Sequence, residues 1–316
     1  MRNTPKEWSR IQRIKSLVQR QSPHTVVGLG DDAFVFKNFP GYSVWAQDML
    51  VEGTHFHREY CSATDLGHKS LAVNLSDLAA MGAQGHFAQV SLALPKNLTE
   101  SWLDDFYKSM SALADQWNVE IVGGDLTASE NSIVIDVSIF GSADKVFTRR
   151  GAQAGDLLLC SGPLGLSHAG MLALQKNISN STQAKEKHRR PNPRLDLVAQ
   201  LQTNAHEVHA LMDCSDGLIN DALQLCGENL GLRLKFYDSH FHPEILAIAE
   251  ELELKPSEFL LWGGEDYELL LAIPATAQKL FPDWQVLGQF QTEAGVFLEE
   301  YGSTKEITDF KGWKHF

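Results

Sequence analysis

The sequence predicts an α/β protein of the α+β type, folded as two domains that each contain a mixed sheet. Three observations carry that prediction. Short apolar runs rich in β-branched residues alternate with helical stretches in both halves of the chain. A length of 316 residues exceeds one typical domain. The composition shifts at residues 144–155, Asp-Lys-Val-Phe-Thr-Arg-Arg-Gly-Ala-Gln-Ala-Gly, just before a new apolar run. Residues 1–146 are therefore expected to form an N-terminal domain and residues 147–316 a C-terminal one.

The elements follow in order. Residues 42–47, Tyr-Ser-Val-Trp-Ala-Gln, read as a strand running into Asp48. Residues 65–81 carry a helical pattern with Asp65 as its N-cap and Gly82 as its stop. An apolar strand at 89–94 ends on Pro95, and a helix capped by Thr99, with Glu100 in its first turn, runs to about Trp117. Residues 119–122 form a short strand ending on Gly123-Gly124-Asp125, and 132–140 alternate as another. The second half predicts strands at 156–161, 209–213, 232–237 and 268–273, with helices from Leu166, at 195–202 and at 218–230. The polar, basic stretch 179–194 reads as a solvated loop.

A hydrophobic fraction of 43% and a charged fraction of 21% are those of an ordinary globular protein with a full core. With 27 Lys and Arg against 40 Asp and Glu, the net charge of −13 argues against a general nucleic-acid binder. It leaves room for a small anionic substrate, because bound cations reverse the local field. Residues 1–7 lack the apolar core of a signal peptide, and no apolar run is long enough to span a bilayer, so no membrane partner is expected. Cys61, Cys160, Cys214 and Cys226 show no CxxC pair or zinc spacing, which suits reduced thiols in a cytoplasmic protein. Acidic neighbours would blunt Cys214 as a nucleophile, leaving it a packing role.

Six acidic clusters, most of them beside glycine, carry the chemistry. They are Gly28-Leu29-Gly30-Asp31-Asp32, Asp48 with His55, Asn74-Leu75-Ser76-Asp77, Gly123-Gly124-Asp125, Asp213-Cys214-Ser215-Asp216-Gly217 and Gly263-Gly264-Glu265-Asp266. Carboxylates are seldom placed among apolar runs unless something compensates their charge. At strand ends, beside glycines that let a ligand approach the backbone, they suit hard divalent cations and the phosphates these carry. Taken singly, each cluster has a plain reading. Asp77 interrupts an apolar helix and needs a metal or a buried hydrogen bond. His55 can orient a phosphate oxygen or simply pack. Asp213 and Asp216, at a strand-to-helix junction, can cap the helix and ligate as well. Arg149 and Arg150 are either a phosphate clamp or an exposed linker pair. Walker, Rossmann, HExxH, GxSxG and kinase HRD/DFG signatures are all missing from the sequence, so phosphate handling must rest on carboxylate-held magnesium.

In this order the segments resemble the thiamine-monophosphate kinase family, of the superfamily that includes aminoimidazole ribonucleotide synthetase. The resemblance is carried by Gly28 to Ala33, Asp48-Met49-Leu50-Val51-Glu52-Gly53-Thr54-His55-Phe56 and the run Ala72 to Ala83. It continues through Val122 to Asp125, Arg149 to Ala152, Asp213 to Leu218 and Gly263-Gly264-Glu265-Asp266-Tyr267-Glu268-Leu269. It implies ATP-dependent phosphorylation of thiamine monophosphate to thiamine diphosphate by direct in-line transfer with several magnesium ions. It further implies magnesium ligands at Asp32, Asp48, Asp77, Asp125, Asp213 and Asp216. Nucleotide contacts are implied at Gly124, Asp125, Arg149 and Ser215, with Tyr107 near another. Contacts to thiamine phosphate are implied at His55, Glu265 and Trp313, and a homodimer joined through the N-terminal domains. One departure stands out: the two residues before Asp48, usually Ser or Thr in the family, are Ala46 and Gln47, so a hydroxyl ligand is lost. The alternatives are an aminoimidazole ribonucleotide synthetase-like enzyme, against which Glu265-Asp266-Tyr267-Glu268 speaks, or a catalytically idle binder of thiamine phosphate or nucleotide. Retention of so many mutually repelling carboxylates weighs against the idle binder.

Overall fold

The structure, a computed structural model, describes residues 6–29, 33–300 and 303–308. The chain divides into two compact units, Met1–Leu78 with Ala83–Asp144, and Ala79–Gly82 with Lys145–Phe316.

The first unit contains α1 (Lys6–Leu17), β1 (Thr25–Val27), β2 (Val35–Phe36), β3 (Tyr42–Val51), α2 (Ala63–Ala80), β4 (Gln84–Pro95), α3 (Glu100–Gln116), β5 (Glu120–Ser129) and β6 (Val134–Ala143). Its main sheet has the order β3-β6-β4-β5, with β4 and β5 parallel across the α3 crossover and the other pairs antiparallel. Helix α2 is buried nearly all round, through Leu66, Leu71, Leu75 and Leu78 but also Lys69, Ser70, Asn74 and Ser76. It lies on one face of the sheet, with Leu75 and Leu78 over Gly85 and Leu78 also over Gly141. Helix α3 starts at Thr99, whose hydroxyl accepts the Trp102 N–H at 3.2 Å, and buries Leu103, Phe106, Met110 and Leu113. Ion pairs Arg10–Glu100 and Arg13–Asp104 bind α1 to α3.

Two strands run further than the sequence predicts. β3 passes through Asp48 to Val51, so this carboxylate projects from a strand interior rather than from its end. β5 passes through Gly123-Gly124-Asp125, which reads as a turn in the sequence but stays paired as Gly123↔Gln89, Gly124↔Val90 and Asp125↔Ser91. The register shifts just before, between Ala88 and Gln89, and Gly124 adopts φ 146° with its Cα hard against the Val90 carbonyl. A side chain there would strike that carbonyl, so the glycine permits a bulged strand to continue instead of ending it.

The alternation of the sheet sorts the carboxylates. Residues directly opposite one another share a face. Asp48, Val137 and Val90 therefore lie on the α2 side, whereas Met49, Asp136, Ser91 and Asp125 form a row on the other. On that second side Phe34, Phe36 and Phe39 pack against Phe87 and Phe140, and Phe39 is stacked between His24 and His86 at centroid distances of 3.9 and 3.7 Å. Burial, then the neighbouring His24, holds the His86 imidazole down to about 4. Glu120 adds two anchors, accepting from Ser22 N–H at 2.7 Å and from the Thr25 hydroxyl at 2.6 Å. These contacts fasten the β1–β2 segment to the sheet. Trp45 and Met49 remain 66% and 52% exposed.

The second unit contains β7 (Asp156–Cys160), α4 (Leu166–Lys176), α5 (Thr182–Arg189), α6 (Val198–Thr203), β8 (Ala210–Asp213), α7 (Leu218–Cys226), β9 (Gly231–Lys235), α8 (Pro243–Glu251), α9 (Pro256–Trp262), β10 (Leu269–Pro274), β11 (Gln285–Gln291), β12 (Gly295–Glu300) and β13 (Ser303–Glu306). The strand order is β13-β12-β9-β11-β7-β10-β8, antiparallel except for β12 beside β9. The central strands β7 and β10 are continuous apolar runs, as strands covered on both faces should be. One face builds a core from Leu158, Met212, Leu234, Leu270 and Phe290 against Ala169, Leu218, Ile245 and Phe259 of the helices. Among the described residues no helix is long and apolar enough to cross a membrane.

The basic stretch 179–194 is not a solvated loop. It holds α5, whose first N–H groups at Gln183 and Ala184 donate to Glu244 of α8 at 3.1 and 2.7 Å. Ala184 and His188 are buried. The charge-dominated pattern hides this helix because its partners are carboxylates distant in sequence.

Candidate active site

In the first unit, Asp48 and Asp77 are half-buried and Asp125 is exposed. The turn that closes β3 sets His55: Thr54 and His55 N–H groups both return to the Val51 carbonyl, and Gly53 N–H donates to Phe56 O. The imidazole accepts the Val51 N–H at Nδ1, 3.0 Å away, which fixes the neutral tautomer with its proton on Nε2. Gln47 turns towards Asp136 and donates its amide to both carboxylate oxygens, at 2.9 and 3.0 Å. The Gln47 amide is thus engaged with the neighbouring strand as a donor. Tyr107 is 4% exposed, on the packed side of α3 and edge-on to Phe106. Burial pushes its phenol up. Asp32 and Trp313 lie outside the described residues.

In the second unit the structure joins two sequence motifs into one strap and loop. β8 ends on Asp213, paired with Leu269, and the chain beyond it is stitched to residues 265–268. Cys214 N–H donates to Glu268 O at 2.7 Å, Tyr267 N–H to Cys214 O at 2.9 Å and Glu265 N–H to Ser215 O at 2.8 Å. Glu265 and Tyr267 both take left-handed backbone angles, φ 63° and 52°, and a side chain at Gly264 would collide with the Ser215 carbonyl. Non-glycine residues held this way are costly and cluster where geometry matters. Asp213 is buried, Ser215 half-buried and Asp216 exposed. Arg149 is exposed on the segment preceding β7.

Each remaining acidic residue of the strap has its own anchor. Asp266 sits on the N-terminus of α4, accepting Gly165 N–H at 2.5 Å and Ser167 N–H at 2.9 Å. Burial nonetheless pushes its carboxyl up to about 7. Glu268 is clasped by Lys187 at 2.5 Å, by Arg194, and by the Ser161 hydroxyl at 2.6 Å.

Asp221, in the first turn of α7, is a residue that sequence reasoning missed. Its carboxylate accepts the Asp216 N–H at 3.0 Å from behind the loop. Burial first, and then the charges of Asp213 and Asp216, push its carboxyl up to about 7. The available signal was an aspartate on the buried side of a helix otherwise lined by Leu218, Ile219, Ala222 and Leu225.

The donor chemistry fits magnesium. The implied ligands are all oxygen donors, and the crowding of Asp213, Asp216 and Asp221 is the kind of repulsion a hard cation relieves. Among the described residues no three His, Cys, Asp or Glu groups form a self-contained metal site. Magnesium is commonly held by one or two carboxylates completed by water and substrate phosphates, so it does not require a self-contained protein cage.

Residues 30–143 match the AIR synthase related protein, N-terminal domain, and residues 153–292 match the AIR synthase related protein, C-terminal domain. The two matches, with the fold, define an AIR synthase related protein of two domains. The thiamine-monophosphate kinase of Aquifex aeolicus is 33% identical over 294 residues, covering 91% of this chain and 92% of that protein. That of Escherichia coli K12 is 33% identical over 334 residues and covers 98% of each. A solved structure of AaThiL complexed with AMPPCP and TMP superposes with a TM-score of 0.80 at 31% identity, over 98% of this chain and 97% of that one. The chain belongs to the thiamine-monophosphate kinase family.

Proposed function

We propose that this protein transfers the γ-phosphoryl group of ATP to thiamine monophosphate, giving thiamine diphosphate and ADP in the cytoplasm by direct in-line displacement. The observation that carries the reading is the stitching of the Asp213–Gly217 loop to the Gly263–Glu268 strap. It ties an implied metal and nucleotide segment to an implied substrate residue, Glu265. In-line phosphoryl transfer needs alignment and charge neutralisation more than a covalent nucleophile, and no residue is assigned that role.

In this reading Asp32, Asp48, Asp77, Asp125, Asp213 and Asp216 hold magnesium, which when bound neutralises phosphate charge. Arg149 and the backbone at Gly124 and Ser215 orient the nucleotide. His55 offers its Nε2 proton to a phosphate oxygen of the substrate, a role consistent with the tautomer fixed at Val51. Glu265 and Trp313 orient thiamine phosphate. Gln47 has no hydroxyl to offer, and its amide nitrogen is committed to Asp136. Its neighbour Asp48 has to act with backbone carbonyls instead.

A coupled ADP-release assay with thiamine monophosphate, ATP and magnesium tests the reading. Turnover abolished by EDTA and restored by magnesium is expected. Calorimetric binding of thiamine monophosphate without turnover would instead favour the idle binder.

A homodimer through the first unit is part of the same reading, supported by the exposed apolar side chains of Trp45 and Met49 on an otherwise regular sheet face. Trp45→Glu is expected to shift the protein from dimer to monomer in light scattering. A variant that stays dimeric would move the interface elsewhere.

A further inference from the structure

We propose that His188 is a positioning residue that holds the carboxylate of Glu265 in place for the thiamine phosphate; this rests on reading Glu265 as a substrate contact. His188 is 2% exposed in the last turn of α5, and its Nδ1 lies 3.3 Å from Glu265 Oε2 and 3.3 Å from Ser167 Oγ.

The same basic segment braces the strap at a second point. Lys187 and Arg194 clasp Glu268, and Arg194 also donates to the Ser161 carbonyl at 2.9 Å. Those partners serve a different purpose. Glu268 and Asp266 are sealed from solvent, so their anchors fix the strap itself rather than a carboxylate that can meet substrate. The Glu265 side chain is 25% exposed, the one acidic side chain of the strap with a face turned to solvent. An anchor on a sealed carboxylate stabilises; an anchor on an accessible one sets where its oxygens point.

Glutamate is rotamer-rich, and ordering it on binding costs affinity that a preset carboxylate avoids. The Glu265 backbone is already fixed, in a left-handed conformation clamped by its N–H to Ser215 O. His188 extends that preorganisation from the backbone to the carboxylate end of the side chain. Outer partners that lock the rotamer of a contacting residue are what such sites require.

The test compares three variants by steady-state kinetics and thermal melting. His188→Leu removes the donor at similar bulk, His188→Asn keeps an amide near the Nδ1 position, and His188→Gln places it near Nε2. His188→Leu and His188→Gln are expected to raise KM for thiamine monophosphate about tenfold, the order of effect of losing one polar contact to a carboxylate. KM for ATP and kcat should stay within about twofold of the starting values, and His188→Asn should stay close to the unsubstituted protein. In a Glu265→Gln background, His188→Leu should add nothing.

Equal effects of Asn and Gln, or a parallel rise in both KM values, would overturn the positioning role. So would a fully additive double variant. If Glu265→Gln raises KM for thiamine monophosphate and the His188 variants do not, the positioning role alone fails. If Glu265→Gln also leaves that KM unchanged, the assignment of Glu265 as a substrate contact fails instead.

Discussion

Asp213→Asn is expected to lower turnover of thiamine monophosphate by about a thousandfold or more while the fold survives. Asp213 closes β8, is 6% exposed, and is held by backbone pairing with Leu269. Asn has nearly the same shape, so packing is kept while the charge is lost and one acceptor oxygen becomes an NH2 donor. That charge sits where it matters, since Asp213 is the larger of the two charge contributions that raise Asp221 to about 7, after burial itself. A second measurement separates electrostatics from misfolding. With Asp213 neutralised, the Asp221 carboxyl should titrate lower, as followed by carbon NMR of the labelled side chain. Turnover within tenfold of the unsubstituted enzyme would remove Asp213 from the ligand set. An unmoved Asp221 titration would show that the two carboxylates are not coupled.

The architecture was legible because its strong signals are local. Apolar runs such as Leu157-Leu158-Leu159 and Leu269-Leu270-Leu271 announce central strands, and Thr99 announces the start of α3. The glycines misled where sequence pattern alone had to choose between turn and bulge. Gly123-Gly124 looks like the end of a strand, and only the close approach of the Val90 carbonyl explains why β5 continues. The acidic motifs were legible one at a time, but not their pairing. That the loop after Asp213 is stitched to residues 265–268 depends on β8 lying beside β10, a contact between segments more than fifty residues apart. Asp221 and His188 were invisible for a related reason. Each acts through a partner that sequence spacing does not reveal, and one sat in a stretch whose positive charge suggested solvent.

The basic segment also yields the largest expected loss of stability. Glu268→Gln is expected to destabilise the second unit by about 3–5 kcal/mol, the usual cost of breaking a buried ion pair from one side. Glu268 is 4% exposed and receives Lys187, Arg194 and Ser161, so removing its charge takes the carboxylate from Lys187 and leaves Arg194 with Asp196 alone. Burial alone would raise the Glu268 carboxyl, but Lys187 and then Arg194 outweigh it and hold it below the ordinary glutamate range. A depressed carboxylate gives stability that is complete above the pKa of the unfolded chain, about 4.3 for glutamate. As pH falls, the unfolded chain takes up the proton first, so that stability is lost progressively down through the folded pKa. Urea melts at pH 7, 5, 4 and 3 should therefore show the same gap between the unsubstituted protein and Glu268→Gln at pH 7 and 5, narrowing at pH 4 and further at pH 3. A gap that stays constant down to pH 3 would mean that Lys187 and Arg194 do not act on Glu268 through charge. Because Glu268 is two residues from Tyr267 and Asp266 at most, and its carbonyl accepts the Cys214 N–H, a loosened Glu268 also loosens the strap that presents Glu265. The same variant should then raise KM for thiamine monophosphate at temperatures well below its melting point, linking the stability of the clasp to the geometry of the site.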